Sequence, residues 1–210
     1  MLTDWELRRK IVACGRRVYE KDLVAASDGN ISVRVMGDRL LITPSGACLG
    51  ELDPEAFVYA DFQGRVLSGR AAPSTELPMH IEIYRARPDV QAVVHAHPPT
   101  ATAFSVAGLS FSPPVLPEVV FHFGEIPIAP YATPSTVESA RSIRSLIADH
   151  DVIVLDHHGA VAVGKNLDEA LLKMEKLEHT AKTLFLAHQL GRPIPLPEEE
   201  VQKILNMRKG

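Results

Sequence analysis

The sequence predicts a single α/β domain in which helices and strands interleave. Three observations carry this. The apolar residues switch repeatedly between a helical period of about 3.6 and a strand period of 2; no stretch is long and polar enough to be an interdomain linker; and 210 residues suffice for one core. A domain of this size buries ~70% of the surface its unfolded chain exposes and needs no disulfide staples. We therefore read residues 1–210 as one domain, with its core over about 3–190 and a proline-rich link and tail helix over 191–210.

Thr3 opens the first helix, because Thr3 and Glu6 make a T-x-x-E capping box and Leu7, Ile11, Val18 and Tyr19 recur at helical spacing. ISVRV and RLLIT then read as strands joined by a tight turn at Gly37-Asp38, and FVYAD and RVL as a second hairpin turning at Gln63-Gly64. Pro78 suits the first turn of a short helix that ends before Pro88. VQAVVHAH is β-branched and apolar, a central strand that stops at Pro98-Pro99 and leads into a helix over residues 100–106. Residues 108–134 are rich in proline and aromatics and read as loops with one short strand, IPIAP. Residues 135–148 read as one helix, DVIVLD and GAVAVG as strands flanking His157-His158, and residues 168–190 as the strongest helix, stopped by Gly191. RPIPLP links to a last helix, EEEVQKILNM.

Composition excludes several classes. Hydrophobic residues make up 46% and charged residues 23%, an ordinary globular balance. Lys plus Arg number 22 against 26 Asp plus Glu, a net charge of −4 that argues against a nucleic-acid partner. No apolar run approaches the ~18 residues of a membrane span, and MLTDWELRRK lacks the apolar core of a signal peptide. Cys14 and Cys48 show neither metal nor redox spacing and suit a reducing compartment, so the expected location is the cytoplasm. What stands out is nine histidines, unevenly spread.

His95 and His97 lie two apart in a strand, so both imidazoles project to one side and can share a cation. A third imidazole is on offer from His157 or His158, in a turn between strands. An H-x-H pair is a weak signal by itself. Glu76 strengthens it: it follows Ser74 and Thr75 where a loop becomes a helix, a place that reads either as an ordinary acidic first turn or as an anion site. Asp28–Asn30 and Thr43–Gly46 are turns of the same kind, and three such turns beside a metal would suit a phosphate. The remaining histidines read first as structural: His80 as a partly buried helix residue, with support of the site from one turn after Glu76 as the alternative, His150, His179 and His188 as surface or packing residues, with His122 a secondary candidate to line the site. Glu118 reads as a solvated carboxylate.

SDGNISVR, LLITPSG, PSTE, VVHAHPPTATAFS, PIAPYATPST and HHGAVAVGK, in this order, resemble the class II aldolase/adducin superfamily, and within it the zinc-dependent L-fuculose-phosphate aldolase type. The resemblance implies a three-layer αβα sandwich around a mostly antiparallel sheet, and a homotetramer with active sites between neighbouring copies. It implies zinc, or another divalent transition metal, on His95, His97 and His158, the last favoured because it directly precedes Gly159. It gives Glu76 two roles, as metal ligand at rest and as catalytic acid–base. Gly29, Asn30, Ser45, Gly46, Ser74 and Thr75 match phosphate contacts, with Ser27 weaker, and Tyr131 matches a tyrosine that reaches into a neighbour's site. The family's second, C-terminal tyrosine has no counterpart here, since Tyr131 is the last in the chain.

The implied activity is reversible cleavage of a ketose 1-phosphate, such as L-fuculose 1-phosphate, into dihydroxyacetone phosphate and an aldehyde. Such a cleavage demands stabilisation of an enediolate, for which a divalent metal is the obvious electron sink. The alternatives on the same scaffold are a sugar-phosphate dehydratase or decarboxylase, a pentulose-5-phosphate 4-epimerase (against which Glu76 counts, since that branch shows Asp), and a non-catalytic adducin-like interaction module.

Overall fold

A computed structural model describes residues 3–209 and builds one eight-stranded sheet from them. The strands are β1 (Asn30–Val35), β2 (Arg39–Ile42), β3 (Val58–Asp61), β4 (Val66–Ser68), β5 (Ala92–Ala96), β6 (Ile128–Ala129), β7 (Val152–Leu155) and β8 (Gly159–Gly164), in the order β4-β3-β2-β1-β5-β8-β7-β6. Every neighbouring pair is antiparallel except β6 with β7. The strand carrying His95 therefore sits well inside the sheet, between β1 and β8.

Strand alternation sorts the side chains into two cores, one on each face. Ile31, Val33, Leu41, Val94, Ala96, Val154 and Ala160 face one way, packed by α1 (Asp4–Glu20), α3 (Pro99–Val106) and α7 (Leu167–Leu190). Leu40, Ile42, Val93, Ile153 and Val161 face the other, under α2 (Leu77–Ala86), α5 (Val137–Ser142) and α6 (Arg144–Ile147). This is the three-layer αβα sandwich. The helix α7 contributes Leu167, Leu171, Met174, Leu177 and Leu184 to the first core, each apolar side chain adding ~1.5–3 kcal/mol on burial. The capping box at Thr3 forms as its sequence requires, with both reciprocal bonds present.

Three local readings are corrected. Residues 135–148 are two short helices: the Ser142 hydroxyl donates back to the Ser139 carbonyl at 2.9 Å, a side-chain bond that competes with the backbone ladder, and the chain kinks at Ile143. Residues 108–134 contain a helix, α4 (Pro117–His122), which begins with proline at its first position and is too short to show a period; it packs against α8 (Glu198–Lys209). Of IPIAP only Ile128 and Ala129 pair, because the flanking prolines carry no N–H for a ladder. Among the described residues, no helix is long and apolar enough to cross a membrane.

Candidate metal centre

The site forms where β5 and β8 end beside the start of α2. His95 is the last but one residue of β5 and is fully buried on the α2 face. His97 lies just past the strand, and the turn from β7 to β8 brings in His158. The ring centroids of His95, His97 and His158 lie 4.8–4.9 Å apart, and one nitrogen from each falls within 4.8 Å of the others. His158, not His157, joins this cluster. His157 takes up a left-handed backbone (φ 55°) and turns outward to bond Asp156 at 2.7 Å. Gly159 makes the close approach possible: a Cβ there would stand 2.5 Å from the Ala96 carbonyl oxygen and 2.7 Å from His97 Cδ2.

The hydrogen bonds fix which nitrogens are free. His95 Nδ1 lies 2.9 Å from the Ala160 carbonyl oxygen, which can only accept, so Nδ1 holds the proton and Nε2 presents a lone pair. His95 Nε2 and His97 Nε2 are 3.1 Å apart. Two nitrogens sharing a tetrahedral zinc at ~2.0–2.1 Å would be separated by roughly 3.3 Å.

Glu76, at the N-cap of α2, completes the group. Its Oε2 lies 2.9 Å from His95 Nε2 and accepts a bond of 2.8 Å from Asn30 Nδ2. A carboxylate oxygen and an imidazole lone pair at that separation require a proton or a cation between them. Its Oε1 is buried without a hydrogen-bond partner, 3.7 Å from His158 Nε2. Three inward ring nitrogens and an orphaned carboxylate oxygen are the donor set of a divalent transition metal, and the residues fit one.

The electrostatics follow. Burial would raise the Glu76 carboxyl pKa, but the His95 imidazolium, its hydrogen bond, the Asn30 amide and His158 hold it well below the carboxylate range. His95 moves up against the pull of burial, because Glu76 and the Ala160 carbonyl favour its charged form. Burial and then the positive charge of its neighbours push His97 down to about 4, and His158 moves down for the same reasons. His97 and His158 are thereby held neutral, the form that ligates a metal, while His95 would release its Nε2 proton to one.

The expected phosphate residues gather around Glu76. Thr43 bonds to Ile31 through both its backbone and its hydroxyl, tying the 43–46 turn to the start of β1. Ser74 N donates to the Thr43 carbonyl and Ser45 N to the Ala72 carbonyl, joining that turn to the Ser74–Glu76 segment. Ser74 Oγ accepts from Glu76 N, and Thr75 Oγ1 accepts from Ser135. Gly29, with φ 75°, is pressed against the His95 carbonyl. Gly46, with φ 71°, stands in open space. Asn30 is partly committed, its amide bonding Glu76 on one side and His80 on the other. Tyr131 is 61% exposed and meets only the outward face of the site, with its ring 6.3 Å from that of His157.

Two groups take closer places at the site than their main sequence reading gave them. His80 is fully buried rather than partly so, and is bonded to Ser32 and Asn30 beneath Glu76. Asp28 places its carboxylate 3.5 Å from His97 Nδ1, on the ring edge away from the cluster. The signal for His80 was present: Glu76, His80 and Tyr84 recur every four residues on a helix face that is otherwise apolar. His122 has Lys173 and Lys176 as charged neighbours, not the cluster.

A family model described as the class II aldolase and adducin N-terminal domain matches residues 9–185. A 3-oxo-tetronate 4-phosphate decarboxylase of Escherichia coli (strain K12) is 38% identical over 193 residues, covering 90% of this chain and 89% of its own. A 5-deoxy-D-ribulose 1-phosphate aldolase of Bacillus thuringiensis serovar kurstaki is 32% identical over 205 residues, covering 97% and 95%. A solved L-fuculose 1-phosphate aldolase superposes with a TM-score of 0.89 at 30% identity, over 97% of this chain and 96% of that one. Layer order, strand topology and these matches agree, and the chain belongs to the class II aldolase and adducin family.

Proposed function

We propose that the protein is a metal-dependent carbon–carbon lyase that releases dihydroxyacetone phosphate, with 3-oxo-tetronate 4-phosphate as its first candidate substrate. The observation that carries this is the buried Glu76 carboxylate, held among three inward imidazole nitrogens with one oxygen unpartnered. The relatives' substrates share one chemistry. Loss of CO2 from 3-oxo-tetronate 4-phosphate leaves a carbanion beside the C3 ketone, the enediolate of dihydroxyacetone phosphate. Retro-aldol cleavage of 5-deoxyribulose 1-phosphate or L-fuculose 1-phosphate leaves that same enediolate and an aldehyde.

A zinc or similar divalent ion held by His95, His97 and His158, with Glu76 at rest, would polarise the ketone and stabilise the developing negative charge. Glu76 handles the proton. Once it parts from His95, burial favours its neutral form, so the carboxyl can deliver a proton to the carbon that lost its substituent and regain one from water. The backbone amides of Gly29, Gly46 and Thr75 and the hydroxyls of Ser45, Ser74 and Thr75, with one N–H of Asn30, would hold the phosphate and bring the ketone into register. A net charge of −4 does not oppose this, since the anion is met locally by a cation and amides.

The aldolase reading is kept as the second, because the two aldolase relatives cover nearly the whole chain. In it, Tyr131 of a neighbouring copy in a homotetramer would exchange the proton at the aldehyde oxygen. Helix α8 carries no tyrosine to assist, and decarboxylation, which releases no aldehyde, needs none. The test is release of dihydroxyacetone phosphate and of CO2 from 3-oxo-tetronate 4-phosphate, 5-deoxyribulose 1-phosphate and L-fuculose 1-phosphate, with and without chelator. Chelator-sensitive release supports the proposal, and CO2 evolution selects the decarboxylase. No release from any of the three by metal-loaded protein overturns it.

A further inference from the structure

Below Glu76 the structure contains a line of buried polar side chains. Asn30, Ser32 and Arg34 alternate along the α2 face of β1, while Glu76, His80 and Tyr84 repeat every four residues along α2. Four helical residues advance ~6 Å and two strand residues ~6.6 Å, so the two rows stay in step. Asn30 Nδ2 lies 2.8 Å from Glu76 Oε2, Asn30 Oδ1 2.5 Å from His80 Nε2, Ser32 Oγ 2.6 Å from His80 Nδ1, and Ser32 Oγ 2.8 Å from the Tyr84 hydroxyl. Asn30, Ser32, His80 and Tyr84 are all buried. Asn30 is the cross-strand partner of His95, which is why the row ends at the imidazole cluster.

Every proton in this row is determined by its end. The Glu76 carboxylate can only accept, so Asn30 must turn its NH2 towards it and its carbonyl towards His80. His80 Nε2 then donates, so Nδ1 accepts from the Ser32 hydroxyl. That uses the one Ser32 proton, so the Tyr84 hydroxyl donates to Ser32 Oγ. The row runs in one direction from Tyr84 to Glu76 with every link between neighbours made, one Asn30 N–H remaining free. An apolar lining would fill this layer as well, since Val93, Ile81 and Ile42 already line the same core. Buried polar groups are costly unless fully bonded. Every link of this row is made, and it terminates on the carboxylate that carries the chemistry.

We propose that Tyr84, Ser32, His80 and Asn30 form a one-way hydrogen-bond ladder whose role is to position Glu76, with His80 as the positioning residue that sets the amide orientation of Asn30. The ladder clamps Oε2 and leaves Oε1 directed at the imidazole cluster, fixing the plane of the carboxylate. The proposal rests on the reading of Glu76 as the proton-handling group, but part of its test is independent of activity.

In metal-free protein labelled with 15N-histidine, the His80 ring should show a single Nε2–H tautomer with slow solvent exchange. His80→Phe orphans Asn30 Oδ1 and should lower kcat about tenfold with KM changed less than threefold, the low end of the range for direct partners of metal ligands, because His80 acts on Glu76 through Asn30. His80→Gln, which can still donate to Asn30, should recover most of the loss. If His80→Phe does not fold, Ser32→Ala should speed exchange of the ring proton and lower kcat several-fold. An Nδ1–H tautomer, or variants folded as well as the parent with unchanged kcat, overturns the ladder. If the parent releases no dihydroxyacetone phosphate, the functional reading fails while the tautomer and exchange rate still decide the ladder.

Discussion

Glu178 is the most informative residue to remove. It lies on α7, is only 3% exposed, and reaches across to the first turn of α3, which begins two residues after His97. Its carboxylate accepts from Thr100 Oγ1 at 2.7 Å, from Thr100 N at 3.1 and 3.2 Å, and from Ala101 N at 3.0 Å. It thus caps a helix whose own N-cap is Pro98, a residue that offers no side-chain acceptor. Three donors lose a charged acceptor in Glu178→Ala. Each such bond contributes ~1.5–3 kcal/mol, reduced where water fills the gap, and the one lost methylene adds ~0.8 kcal/mol. The expected cost is ~4 kcal/mol, with Glu178→Gln near half because one carbonyl oxygen still accepts. Urea unfolding monitored by circular dichroism measures this as a lower midpoint at unchanged slope. Loss of the cap should also free His97, so that zinc affinity measured against a competing chelator falls. A cost below ~1 kcal/mol for Glu178→Ala would refute the assignment of Glu178 as the α3 cap.

Three further outcomes are expected. Gly159→Ala sets a methyl against the Ala96 carbonyl and the His97 ring, costing ~1–3 kcal/mol in strain and lowering metal affinity 10–100-fold in a chelator competition. In metal-free protein, His80 and His97 are held at about 3 and about 4, below their unfolded value of ~6.5, and His158 is also lowered. The unfolded chain therefore takes up more protons as pH falls through this window, so stability is full above pH ~6.5 and lost towards pH 4, with His95, raised, offsetting one of the three. The urea midpoint should be lower at pH 5 than at pH 7, and an equal or higher midpoint contradicts the burial of these rings in neutral form. Tyr131→Phe should cut ketose 1-phosphate cleavage at least tenfold but change release of CO2 from 3-oxo-tetronate 4-phosphate less than threefold, measured on the same preparation.

Much of the site was visible in the sequence because its signals are local. The two-residue spacing of His95 and His97 states that they share a side, and Ser74-Thr75-Glu76 before Pro78 marks a helix start. Spacing alone left His157 and His158 open, and only the resemblance favoured His158; what separates them physically is a left-handed backbone at His157, a property of the turn. The sequence left the supporting role of His80 as the lesser alternative because its partners, Asn30 and Ser32, lie about fifty positions away, and a lone histidine in an apolar helix face looks the same whether or not it is bonded. The break at Ile143 and the helix at Pro117 were missed for a common reason: each segment is shorter than two helical turns, too brief for periodicity to register.

The position of β5 in the sheet has a dynamic consequence. It has four strands on one side and three on the other, and the two edge strands are the weakest, β4 being exposed along its length and β6 only two residues long. Opening from either edge must cross several ladders before it reaches His95, so amides of β5 should exchange only on global unfolding while β4 and β6 exchange through local fraying. The imidazole cluster is thus attached to the slowest-moving part of the molecule. On the proposed function, motions that admit substrate and release product would come from the loops at residues 26–29, 44–48 and 130–136, and not from the strand that carries His95.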